Sequence, residues 1–357
     1  MPVSQFTIYS SGDPYGPGLI DGTTGSLVRV LDACLVDGYG TGSYFKAAAG
    51  WTKPFPNFSS SLACYKQPSG SQMTLVVNDM RPNATALGKE AWMTGWELLS
   101  ALTTSFATAS VSSNSGSVGV GWGQFPLPVQ VLTTGHVVVR KSTAATVAER
   151  LWVIAADAYT MYLWIQPGDT AGNYVHRGFG DIYSFRGSSD RWDCFIYGQI
   201  IENAAAAVAN DYTDAIGGSQ GAVTSTLSTA LPGHYVARNA GGSGGSIGFT
   251  RKGDAGVGPA SSQTGPQTCP LSGVLACPNG SDNSIYLSPL WLVEPNGITL
   301  RGRFRGLYQI CHPVANFSDG QMFQGSGDFA GKSFMVIRTT FQRAMWALET
   351  SATIDTN

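Results

Sequence analysis

The residues able to do chemistry are few and scattered in this chain of 357 residues. Gly244-Gly245-Ser246-Ile247-Gly248 has the G-x-S-x-G spacing of a nucleophile elbow, where a strand–turn–helix corner exposes a serine beside backbone donors. Here the pentapeptide lies in Gly/Ser-rich sequence, with no apolar strand leading in and no helical pattern leading out, so the match reads as coincidence. The four histidines, His136, His176, His234 and His312, never stand four apart. The six cysteines, Cys34, Cys64, Cys194, Cys269, Cys277 and Cys311, include no C-x-x-C pair. A zinc site would have to gather its ligands from distant segments. Cys311 and His312 are adjacent, but neighbours on an extended segment point to opposite faces and cannot share an ion.

Carboxylates are the remaining candidates. Asp32 and Asp37 flank the end of a helical pattern, and Asp181, Asp190 and Asp193 gather in sequence. Two carboxyl groups held ~5–9 Å apart could hydrolyse a glycoside. Beside Gly and Ser, however, aspartates usually close turns through backbone hydrogen bonds. The nine tryptophans and 14 tyrosines could stack on sugar rings or mark contact hot spots. Most of them sit in strand patterns, where core or subunit contact is the expected role. The sequence therefore nominates no catalytic, cofactor-binding or metal-ligating residue, and the expectation is a protein that is not an enzyme.

The elements that would position these groups are mostly strands. One helix is predicted near residues 26–37, where Leu27, Val28, Leu31, Cys34 and Leu35 recur at three- and four-residue steps. Ser26 or Thr24 can cap its start and Asp37-Gly38 reads as its stop. Strands are expected at 5–10, 73–77, 136–140, 179–185, 191–200, 285–287, 291–293, 298–305 and 333–340. The clearest hairpin joins WVIAA (152–156) to YTMYLWI (159–165) around Asp157-Ala158. Tyr159, Met161, Leu163 and Ile165 would share one face, with Tyr162 and Trp164 on the other, so this hairpin should be covered on both sides. Residues 87–99 fit either a helix or a strand pair broken at Gly95. Ala344, Met345 and Leu348 suggest a short C-terminal helix. Arg301–Arg305 (RGRFR) reads as the exposed face of a strand, or as an anionic contact.

Many short strands without strand–helix alternation predict a mainly β, sandwich- or barrel-like architecture with a short N-terminal helix and long Gly/Ser-rich loops. The chain divides into β-rich parts at 1–165 and 166–357, or forms one compact domain overall. A loop-rich excursion at about 203–283 is the poorest source of core, with Tyr235 and Phe249 as its few anchors.

Composition narrows the function class. The charged fraction is 12%, half of the ~25% usual for soluble domains, and 45 glycines with many Ser and Thr take its place. Faces so poor in ions suit a protein whose surface is largely occupied by neighbours, or a β-rich external protein. The net charge of −2 argues against non-specific nucleic-acid binding, which needs a basic surface. Neither a secretory signal nor a membrane-spanning window is apparent. Cys269 and Cys277 flank a loop and could be bridged in an extracellular particle.

The run FTIYSSGDPYGPGLIDGTTGSLVRVLDACLVDGYG, followed by AAAGWTKPF, resembles the start of a family of uncharacterised virion structural proteins of tailed bacteriophages. LWVIAADAYTMYLWI, FGDIYSF and YLSPLWLVEPNGITLRGRFRGLY continue the resemblance along the chain, while residues 203–285 add little. The resemblance implies a virion component assembled in the host cytoplasm, most plausibly in the tail or baseplate. Its partners would be copies of itself and other virion proteins. A head decoration or minor capsid protein, or a module binding a host surface glycan or receptor, are the alternatives. It implies no catalytic residues and no cofactor.

Overall fold

Short β-branched and aromatic runs separated by Gly, Pro and Asp turns favour strands whose two faces are both buried. A computed structural model describes residues 6–56, 59–79, 89–103, 119–126, 136–168, 175–199, 232–239, 241–242, 275–293, 300–338 and 345–350. In chain order its elements begin with strand β1 (Thr7–Ser10) and helix α1 (Ser26–Asp32), which runs on into a π-helical turn at Ala33–Asp37. Strands β2 (Leu62–Lys66), β3 (Thr74–Asn78), β4 (Glu90–Leu102), β5 (Gly119–Phe125) and β6 (Val137–Arg140) follow. Next come β7 (Trp152–Ala156), β8 (Thr160–Ile165), β9 (Val175–Asp181), β10 (Tyr183–Ser184), β11 (Cys194–Gln199) and β12 (Pro232–Val236). The last are β13 (Leu287–Val293), β14 (Leu300–Ile310), β15 (Met322–Gln324), β16 (Ser333–Arg338) and β17 (Met345–Thr350).

Among the described residues, eleven strands form one sheet in the order β1-β7-β8-β9-β11-β6-β4-β3-β2, with β5 beside β4 and β12 beside β11. A second sheet of six runs β10-β14-β17-β16-β15, with β13 beside β14. The large sheet curls like a half barrel around α1. Leu27, Val28, Leu31, Cys34 and Leu35 of the helix are buried in one cluster with Leu75, Met93, Val137, Ile154, Leu163 and Ile196 from the strands. The opposite face of the same sheet packs on the second sheet: Ala155, Tyr162, Trp164 and Phe195 meet Leu292, Phe304, Leu307 and Trp346. The fold is therefore mainly β and sandwich-like, as the strand pattern predicts. The β7–β8 hairpin shows why. Met161, Leu163 and Ile165 enter the first cluster while Tyr162 and Trp164 enter the second, and each fully buried side chain of this size contributes ~1.5–3 kcal/mol. The large sheet takes strands from both sides of residue 165.

Helix α1 starts differently from the sequence expectation. Neither Ser26 nor Thr24 caps it; Gly25 holds the N-cap position at φ +85° and no local side chain accepts there. The Leu27 N–H instead donates to Asp79 Oδ2 at 2.9 Å, from 52 residues away. Asp79 is ion-paired with Lys141, and both side chains are fully buried. Lys141 Nζ also donates to the Thr23 carbonyl (2.6 Å) and to Ser26 Oγ (3.0 Å). Burial pushes the Asp79 carboxyl up to about 6 against the pull of Lys141 and the helix N–H groups, and burial likewise lowers the Lys141 ammonium. The stop does follow expectation in place: Gly38, at φ +76° and ψ 172°, donates its N–H to Ala33 O at 2.9 Å.

Two other expectations are corrected. From Glu90 onward the stretch read as a helix or a broken pair is neither; β4 is one strand through Gly95, whose Cβ, if present, would lie 2.3 Å from the Phe125 ring across the sheet, and residues 87–88 lie outside the described residues. The spacing of Trp92 and Trp96 is ambiguous because four is a near-turn of helix and also two full strand periods. No C-terminal helix forms over 345–350. That segment is β17, paired with β16 from Ser333↔Thr350 to Arg338↔Met345 and with β14 through Leu307↔Leu348. Trp346 and Leu348 face one cluster and Ala347 another, so two-sided burial overrides weak helical spacing. Ala344, Phe249 and most of 203–283 lie outside the described residues, although Tyr235 within that excursion is buried on β12. Strands β2, β12 and β15 lie outside the strands that the sequence pattern predicts.

Replacing Lys141 by Met strands a buried carboxylate and should cost about 3–5 kcal/mol of unfolding free energy at pH 7. The double substitution Asp79→Asn with Lys141→Met keeps an oxygen for the Leu27 N–H and should recover most of that loss. Urea denaturation measures both; a Lys141→Met protein as stable as the parent would contradict the role given to this pair.

Candidate functional site

Where the chain leaves β9 for β10 it crosses from the large sheet to the small one, and a cleft of about 810 Å³ opens at the seam. The turn at Gly70–Gln72, Tyr159, the stretch Asp181–Phe185, the loop through Asp190 and Asp193, and Arg303 and Arg305 of β14 line it. The structure thus brings together the three aspartates 181, 190 and 193. It places Asp32 and Asp37 apart from them, at a hollow of about 540 Å³ beside α1. There Asp32 is ion-paired with Lys53 (2.9 Å) and accepts from the Tyr65 hydroxyl (2.8 Å).

The three aspartates of the cleft do different work. Asp181 accepts from Ser71 N–H (2.8 Å), Ser71 Oγ (2.6 Å) and Gln67 Nε2 (3.0 Å), which engages both its oxygens and ties the β2–β3 turn to β9. Its Oδ2 also fills the space a Cβ at Gly70 would need. Asp190 is fully buried against Arg301 (2.8 Å) and accepts from Ser184 Oγ (2.5 Å) and the Trp192 N–H (3.3 Å). Asp193 is half-buried at the cleft. Burial first, then the negative charges of Asp181 and Asp190, push its carboxyl up to about 8. Near neutral pH it is a carboxylic acid, able to donate a hydrogen bond as well as accept one.

The arginines correct a second expectation. Arg301 and Arg305 do not lie on an exposed strand face; both are buried between the sheets. Arg301 is neutralised by Asp190, and Arg305 by Asp157 at 3.4 Å. Arg305 also stacks on Tyr159 (4.2 Å) and Tyr183 (4.5 Å), and Arg303 lies over Tyr183 (5.2 Å). Asp157 caps its own turn by accepting from Tyr159 N–H (2.8 Å) and Thr160 N–H (2.7 Å). The alternation Arg-x-Arg-x-Arg was legible, but which face the second sheet would cover was not.

The histidines are spread through the packing. His136 stacks on Trp92 at 4.4 Å and His176 on Trp164 at 4.5 Å. His312 Nε2 accepts the Tyr286 N–H (2.7 Å), and its Nδ1 lies 2.7 Å from the Ala276 carbonyl, so it joins loops. Cys311 is buried beside it. Among the described residues no three His, Cys, Asp or Glu side chains gather to hold a metal. The G-x-S-x-G pentapeptide, Cys269 and the side chain of His234 lie outside the described residues.

A second surface stands apart from the cleft. Tyr39 and Lys46 exchange backbone hydrogen bonds of 3.0 and 2.8 Å, closing a loop that presents Tyr44 and Phe45. Gly40 permits the closure, since a Cβ there would lie 2.3 Å from Tyr44 O. Asp13 anchors the loop through Lys46 Nζ (2.7 Å) and the Tyr39 hydroxyl. Tyr15, Tyr44 and Phe45 are 69%, 54% and 57% exposed, and the Tyr15 and Tyr44 rings lie 5.8 Å apart.

No helix among the described residues is long and apolar enough to cross a membrane. No protein-family model matches the chain, and no curated protein is significantly similar to it.

The raised Asp193 carboxyl has a consequence for stability. Between the ordinary aspartate value near ~4 and about 8, the unfolded chain releases this proton while the folded chain keeps it. Stability should therefore fall as pH rises through that window and level off above it. Asp193→Asn should flatten the fall, gaining roughly 1–3 kcal/mol relative to the parent at pH 8, a range reduced because the cleft admits solvent. Denaturant unfolding at pH 4, 6 and 8 reads it directly; parallel profiles for the two proteins would refute the assignment.

Proposed function

We propose that the protein is a structural component of a tailed-phage virion, in the tail or baseplate, which works by burying its surface against copies of itself and other virion proteins. The observation that carries this reading is the aromatic surface at Tyr15, Tyr44 and Phe45. Tyr44 and Phe45 are held out to solvent by a loop whose backbone is fixed by Asp13, Lys46 and glycine geometry, and Tyr15, on the segment that carries Asp13, lies beside Tyr44. Exposed rings on a pre-ordered loop lose little entropy on association, and aromatic anchors dominate contact energies. The low ionic content of the chain removes the charge that would keep such patches apart. The ordered resemblance of its N-terminal, central and C-terminal segments to virion structural proteins supports the same reading.

Mass spectrometry of purified phage particles should find the chain at a fixed copy number. In sedimentation of the purified protein, self-association should weaken at least about tenfold in the double variant Tyr44→Ser, Phe45→Ser, with the melting temperature unchanged because both rings are already exposed. A chain missing from particles and monomeric at all concentrations would overturn the proposal.

A further inference from the structure

We infer that the cleft at the seam of the two sheets binds an uncharged, polyhydroxylated ligand, one or two rings of a neutral saccharide, with Phe185 as the stacking face and Asp193 as a hydrogen-bond donor. This goes beyond the assembly reading and does not depend on it.

The space comes first. About 810 Å³ lies within the ~300–1,000 Å³ typical of small-molecule sites. Charge comes next. The lining holds three carboxyl side chains (Asp181, Asp190, Asp193) and three guanidinium groups (Arg191, Arg303, Arg305). Asp190 is neutralised by Arg301 and Arg305 by Asp157, each from just behind the wall. A multivalent anion would meet Asp181, and a cation would meet Arg303 and Arg191. Arg191 is exposed and its charge is screened by solvent, which leaves Asp181 against Arg303, so neither sign of ligand meets a large surplus of the other.

The wall also mixes an apolar ring with polar groups. Phe185 is 51% exposed, with its ring 5.9 Å from that of Trp291, and the side chains of Asp193, Gln72 and Tyr159 line the same cleft. A purely apolar occupant would leave those polar groups without partners, at ~1–3 kcal/mol each. A sugar ring offers an apolar C–H face to one side and hydroxyls around its rim, which suits both kinds of surface. Burial, and then the facing charges of Asp181 and Asp190, raise the Asp193 carboxyl, while Arg301 opposes them. It can therefore donate to a sugar hydroxyl where an ionised aspartate could only accept. Asp181 accepts from Ser71 and Gln67, which holds it in the wall of the cleft.

The test is saturation-transfer NMR on the full chain at pH 7, with D-glucose, D-galactose, D-mannose and N-acetyl-D-glucosamine as neutral probes and D-glucuronate as a charged one. At least one neutral sugar should receive saturation, and its affinity should drop about tenfold in Phe185→Ala and in Asp193→Ala. Asp193→Asn, whose amide still donates, should stay within about twofold of the parent. Parent binding should weaken above about pH 8, as Asp193 ionises, and the Asn variant should lack that loss. Melting temperatures confirm that the variants fold; Phe185 is exposed enough for its removal to be tolerated. The inference fails if no neutral sugar receives saturation, if D-glucuronate alone does, or if binding ignores both Phe185→Ala and Asp193→Ala.

Discussion

A sheet that is apolar on both faces has to be covered twice, and the rest of the structure answers that requirement. Strands β7, β8 and β11 place buried apolar side chains on both faces of the sheet, so neither face can meet water. One face is satisfied from within, by curling the sheet around α1 and the loop that follows. The other is satisfied by a second sheet built from the C-terminal third of the chain. The two candidate surfaces fall where these coverings end: the cleft at the seam between the sheets, and the aromatic loop where the chain leaves the helix.

Covering the inner face raises a local difficulty. Helix α1 has only seven residues before its π-helical turn, and its first N–H groups are buried with the helix. They need an acceptor, and the residues immediately before it provide none. Asp79, at the end of β3, reaches the helix start, and Lys141, just past β6, neutralises it. A buried ion pair adds little net stability against an apolar alternative, because desolvation consumes most of the Coulomb gain. Its value here is positional. The pair fixes the helix to two particular strands, so that the stripe of Leu27, Leu31 and Leu35 can meet only one part of the sheet.

The same logic recurs at the outer face. Arg301 and Arg305 lie between the sheets and are matched by Asp190 and Asp157 from the opposite side. These pairs tie β14 to the loop between β10 and β11 and to the β7–β8 turn, and Asp193 is left half-buried beside two carboxylates that raise its own carboxyl. The unusual acid in the cleft is thus a by-product of how the sheets are registered. Most polar groups of the cleft are committed to holding the two layers together, and Asp193 lines the space between them.

Local sequence decided the element types wherever a two-residue period was strong. The β7–β8 hairpin, the stop at Gly38 and the mainly β class were all legible, because side-chain alternation and glycine φ are properties of neighbouring residues. The aspartates at 181, 190 and 193 were legible as a group but not as a site. What only the tertiary structure decided was pairing over long separations: Asp79 as the cap of a helix 52 residues away, Arg301 against Asp190, and Met345–Thr350 as a central strand. Each depends on which face of a strand becomes buried. That is set by whatever packs upon it, and no run of residues contains its own covering layer.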